Sequence, residues 1–79
     1  MPFYMYVWTD ELMEYLLLHD VSADEFEEVV GDPDSVEQSR SSDRLIAFGI
    51  TSTGKFIACV YEMLDDITIL PVTAYEVED

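Results

Sequence analysis

LIAFGITSTGKFIACVYEM, residues 45 to 63, decides the fold. Leu45 to Ile50 is a short apolar run that reads as a buried strand. Thr51, Ser52, Thr53 and Gly54 form a turn, with Gly54 the residue suited to positive φ. Lys55 to Met63 then reads as a second strand. The stretch is therefore an antiparallel hairpin. Asp65 and Asp66 make the next turn, and Ile67 to Tyr75 reads as a third strand. Pro71 removes one ladder donor from it, so that strand is expected at an edge or with a bulge.

Upstream, the hydrophobic period changes. Phe3 to Trp8 is aromatic and apolar and reads as a short first strand. Thr9 and Asp10 can cap a helix. Within Asp10 to Leu18 and the adjoining His19, one face holds Leu12, Tyr15, Leu16 and His19, while Asp10, Glu11 and Glu14 lie opposite. Ser22 and Glu25 are spaced as a capping box. A second helix is expected over Ala23 to Val30, with Phe26, Val29 and Val30 as its apolar stripe. Gly31 is expected to end it in the left-handed conformation, and Pro33 prevents continuation. The expected architecture is α+β: two N-terminal helices packed on a three- to four-stranded antiparallel sheet, as one domain spanning residues 1–79.

The 79 residues carry 18 acids against three Lys or Arg, for a net charge of −15. The charge is uneven: −11 over residues 1–39, +2 over 40–55 and −6 over 56–79. Such a field repels nucleic-acid phosphates and favours basic partners. An apolar content of 49% separates the chain from disordered acidic tails. The single cysteine, Cys59, cannot form an internal disulfide and sits among apolar neighbours, as a core residue does. No apolar run is long enough for a membrane span, and the first residues lack a basic segment of a secretory signal. A cytoplasmic protein is expected.

Two of the three cations fall in SRSSDR, residues 39 to 44. Arg40 and Arg44 could converge on a phosphate, or they could neutralise the chain's own carboxylates. Lys55 is a poor partner for Arg44, because a six-residue strand separates them by roughly 20 Å. His19, the single histidine, is the candidate general acid or base. Asp32, Asp34, Asp65 and Asp66 lack calcium-loop spacing, and no glycine-rich phosphate loop is present. Neither metal nor cofactor is expected.

Several segments resemble the BrnT toxin family, small bacterial ribonuclease toxins with a RelE-like fold. They are Trp8, LLLHDVSADEFEEVV, the DPDS after Gly31, RLIAFGITSTGKFIACVYE and ITILPVTAYE, so the likeness covers about residues 8 to 77. The chain is also similar to short acidic bacterial proteins ending in a PVTAYEV-like sequence. The resemblance implies a RelE-like fold and metal-independent RNA cleavage, with Arg44 as the phosphate-binding residue and His19 second. The chain departs from the family at Asp20, where a Gly typically follows the His. It also lacks the basic helix face, and it reads PVTAYE where the family carries consecutive arginines.

Three functions follow. The favoured one is a non-catalytic module that binds a basic protein, antitoxin-like or nucleic-acid-binding. Its contact residues would be Tyr4, Tyr6, Glu14, Asp24, Glu27, Glu28, Asp32 and Asp34. The second is a ribonuclease toxin using Arg44 and His19. The third is a DNA mimic whose carboxylates imitate phosphates. Direct nucleic-acid binding and membrane association are not expected, and self-association is left open.

Overall fold

The computed structural model describes residues 4–39 and 43–77. Its elements are β1 (Met5–Tyr6), α1 (Asp10–Leu17), α2 (Ala23–Gly31), β2 (Ser35–Gln38), β3 (Leu45–Ile50), β4 (Phe56–Met63) and β5 (Thr68–Glu76). The five strands form one sheet in the order β1-β5-β4-β3-β2. The class is α+β, but the expected three- to four-stranded antiparallel sheet is corrected in two ways. The sheet has five strands, and it is mixed because β1 runs parallel to β5.

The missed strand, β2, is the polar segment SVEQ, exposed along its whole length. Apart from Val36, its residues have little strand preference of their own. They become a strand by pairing with β3, from Ser35 opposite Phe48 to Gln38 opposite Leu45. At the other edge β1 is only two residues long, and Pro71 explains why. Val7 N–H donates to the Ile69 carbonyl at 3.0 Å. In a parallel ladder the next bond would run from the amide of residue 71 to the Val7 carbonyl. Proline has no such hydrogen, so the ladder stops. The bulge expected from Pro71 is present as well. Val60 faces Thr73 and Tyr61 faces Pro71, which leaves Val72 as the extra residue.

Local chemistry sets the helix ends. Thr9 Oγ1 accepts from Leu12 N–H at 3.1 Å and starts α1. Ser22 Oγ and the Glu25 carboxylate exchange 3.1 Å bonds with each other's amides, so the capping box is complete. After α1, Val21 N–H donates to the Leu16 carbonyl and Asp20 N–H to the Leu17 carbonyl. With Asp20 at φ 61 this is a Schellman ending. Val21 and Leu16, the apolar pair of that motif, are both fully buried. The left-handed ending expected at Gly31 is corrected: Gly31 remains within α2, and the non-helical Asp32 (φ −149, ψ 68), followed by Pro33, ends the helix. In the β3–β4 turn, Gly54 does adopt positive φ, at 90°.

Both helices lie on one face of the sheet. Leu16, Val21, Phe26, Val29 and Val30 pack there against Ala47, Ile57, Cys59, Tyr61, Ile69 and Ala74. Burying Phe26 alone is worth about 1.5–3 kcal/mol. Gly49 allows α2 to sit close to β3, since a Cβ there would lie 3.2 Å from Val29 Cγ1. The opposite face presents the other parity of the strands. Ile46 faces Val60, Phe48 faces Ala58 and Ile50 faces Phe56 across the β3–β4 ladder. None of these six belongs to the core cluster between helices and sheet. Among the described residues, α1 reaches this side at its β5 margin, where the Thr73 hydroxyl, opposite Val60, donates to the Tyr15 hydroxyl at 3.3 Å.

Candidate functional site

The acids of α2 and the turn of the β3–β4 hairpin meet in one place. Lys55 Nζ donates to Glu25 Oε1 at 3.0 Å and also to the Asp20 carbonyl. Thr53 Oγ1 donates to Glu25 Oε2 at 3.2 Å, and Ser52 N–H donates to Glu28 Oε1 at 2.6 Å. Partial burial alone would raise the Glu25 carboxyl. The Ser22 amide, the Lys55 ammonium and the Thr53 hydroxyl outweigh it and hold the group below the usual carboxylate range. Nearby, Trp8 Nε1–H donates to Glu27 Oε2 at 2.7 Å, and its ring meets Phe26 edge-on at 5.3 Å. Glu25, Glu27 and Glu28 therefore bind the chain's own donors.

The two residues named for RNA chemistry are not brought together. His19 follows α1 in the helix layer, exposed, with its ring edge-on to Tyr15 at 4.9 Å. Arg44 precedes β3, and its Nε lies 3.7 Å from Glu62 Oε1. Glu62 faces Leu70 across the β4–β5 ladder, on the parity opposite to the buried Tyr61. His19 adjoins Asp20, whose carbonyl takes Lys55 at the hairpin tip, whereas Arg44 lies at the opposite end of β3. Arg40, the other candidate for a phosphate site with Arg44, lies outside the described residues.

Tyr4 and Tyr6 are half-buried and pack against the core cluster, with their rings edge-on at 6.4 Å. Burial first, then the charge of Glu27, pushes the Tyr6 phenol up to about 12. Glu14, Asp24, Glu28, Asp32 and Asp34 are exposed, and Glu27 is half-buried. Cys59 is fully buried, which with the charge of Glu25 pushes its thiol up to about 12. Among the described residues, no group of three or more His, Cys, Asp or Glu side chains is arranged to hold a metal ion. No helix among them is long and apolar enough to cross a membrane.

The sheet face opposite the core, with Ile50 62% exposed, was not singled out from the sequence. Its signal was there. β3 and β4 are apolar at both parities, whereas a strand with one wet face alternates. No family model, no curated protein and no solved structure matches the chain.

Proposed function

We infer that this chain is a non-catalytic binding module for a basic protein. The observation that carries the reading is the placement of its described cations. Lys55 is taken up by Glu25 and the Asp20 carbonyl, and Arg44 lies against Glu62. With these cations facing the chain's own acids, the outward field is that of a net −15 charge. Such a surface repels a nucleic-acid backbone and draws cationic partners. RNA cleavage without metal needs a base and a cation around one phosphate. Arg44 and His19, toward opposite ends of the β3–β4 hairpin, do not converge on one. The resemblance to small toxins then concerns the scaffold, which can persist when chemistry is lost. An antitoxin-like or nucleic-acid-binding protein fits as the partner.

The test has two parts. Purified protein is incubated with total RNA without added metal, beside Arg44→Ala and His19→Ala. Intact RNA in every lane is expected, and cleavage by the wild type alone overturns the reading. The immobilised chain is then exposed to extract of its native host. Basic proteins captured near 50 mM salt should be released by about 300 mM, because surface charge is screened over a few ångströms there. Capture of no basic protein at low salt also overturns it.

A further inference from the structure

We propose that the face of the sheet opposite the core is the docking surface, and that its occupant is a cationic amphipathic helix of the partner. The proposal rests on the protein-binding reading and names the place and the ligand chemistry. Ile46, Phe48, Ile50, Phe56, Val60 and Leu70 share this face by register. Ala58 in their midst is fully buried although it lies outside the helix-side core, so its large neighbours close over it. Phe48 and Phe56 stack with ring centroids 6.2 Å apart.

A sheet whose central strands are apolar on both faces is the kind that carries a layer on each side. Here α1 and α2 supply one layer, and the described residues supply no second.

Charge decides what the second layer is. Glu37 stands opposite Ile46 at the β2 edge, and Glu62 stands opposite Leu70 at the other side of the patch. The one described cation there, Arg44, already faces Glu62. A second copy of the chain would bring another −15 and set these carboxylates near their equivalents. A helix with an apolar stripe flanked by Lys and Arg buries the patch, meets Glu37 at its β2 margin and is drawn by the field of the whole −15 chain. That is the helix-in-groove mode of recognition with the charges assigned.

The experiment uses the full chain and a labelled 18-residue peptide of Leu and Lys with an amphipathic helical pattern. The control peptide has the same composition in scrambled order. Fluorescence anisotropy should show the patterned peptide binding at least tenfold tighter than the scrambled one. Tyr75 stands opposite Ala58 and so belongs to this face, and the double variant Ile50→Ser, Tyr75→Ser, at its two exposed positions, should weaken binding at least tenfold. Glu14→Gln with Asp24→Asn, on the helices, should change it less than about threefold. Amide chemical-shift mapping on the wild type should place the largest changes at Ile46, Phe48, Ile50, Phe56 and Val60, whatever the stability of the variants. Shifts confined to α1 and α2, with loss of binding in the helix variant, would overturn the docking site and leave the binding-module reading intact. Equal affinity for the two peptides would overturn the amphipathic occupant. Binding of neither peptide would overturn this proposal, while capture of basic proteins would still stand. Concentration-dependent dimerisation in sedimentation, abolished by the Ile50, Tyr75 variant, would make the face a self-association surface and overturn it too.

Discussion

Lys55 Nζ lies 3.0 Å from Glu25 Oε1 and ties the tip of the β3–β4 hairpin to the first turn of α2. The side chains are 29% and 16% exposed, so water screens the pair only in part. Lys55→Met leaves Glu25 and the Asp20 carbonyl without their cationic donor. It is expected to destabilise the fold by about 1–3 kcal/mol. A double-mutant cycle with Glu25→Gln, read by urea unfolding, should return a coupling above about 0.5 kcal/mol. Strict additivity would mean that the pair contributes nothing.

The same carboxylate sets an acid limit. Glu25 is held below the usual carboxylate range in the folded state, so the folded chain releases that proton more readily than the unfolded one. Its contribution is full above the unfolded value, about pH 4.3, and is lost as the pH falls through the lower folded value. Elsewhere, protonation relieves the self-repulsion of a −15 chain. The stability difference between wild type and Glu25→Gln should be flat above about pH 5 and shrink below about pH 4. A difference that grows on acidification would contradict the geometry.

Two backbone positions make opposite demands. Asp20 occupies the left-handed region at φ 61, where an L-residue with a side chain carries a cost of about 1–2 kcal/mol. Asp20→Gly removes that cost and loosens the unfolded chain, for a net gain of about 0.5–1 kcal/mol. Gly31 lies inside α2 with open space where a Cβ would go. Gly31→Ala should therefore also stabilise, by up to about 1 kcal/mol. Thermal unfolding of the two variants checks both. A lower midpoint for Gly31→Ala would restore the left-handed ending that its position suggests.

Trp8 is the sole tryptophan, so its emission reports one place. Glu27→Ala removes the acceptor of its indole N–H. The folded-state emission should shift to the red, and stability should fall by about 1 kcal/mol. Glu27→Gln keeps an oxygen acceptor and should retain most of both. Identical spectra for all three proteins would show that the bond does not hold the ring.

Cys59 should be inert while the chain is folded. Full burial and a thiol pushed to about 12 leave almost no thiolate at pH 8. A disulfide reagent should react with it in urea and scarcely at all in native buffer. Rapid native labelling would indicate opening of the helix layer.

What the sequence determined is what neighbours along the chain decide. Thr9, Ser22 and Glu25 mark helix starts because a cap needs only a side chain and amides within three residues. Gly54 and Pro71 mark the turn and the bulge because they restrict their own backbone. The apolar runs around Gly54 define the central hairpin. The tertiary structure decided what depends on partners far away in sequence. SVEQ is a strand only because β3 offers it a free edge. β1 is parallel, and two residues long, because it meets β5 where Pro71 ends the ladder. Arg44 and His19 are only a candidate catalytic pair in sequence, and the fold sets them toward opposite ends of the central hairpin. The acids of α2 look alike in sequence, yet Glu25, Glu27 and Glu28 accept hydrogen bonds from distant parts of the chain while Asp24 faces solvent. Helical spacing sets which side of α2 an acid occupies, but only packing brings Trp8, Ser52 and Lys55 within reach. The open sheet face follows the same logic. Alternate strand residues record that both faces are apolar, and only the placement of α1 and α2 decides which one is left uncovered.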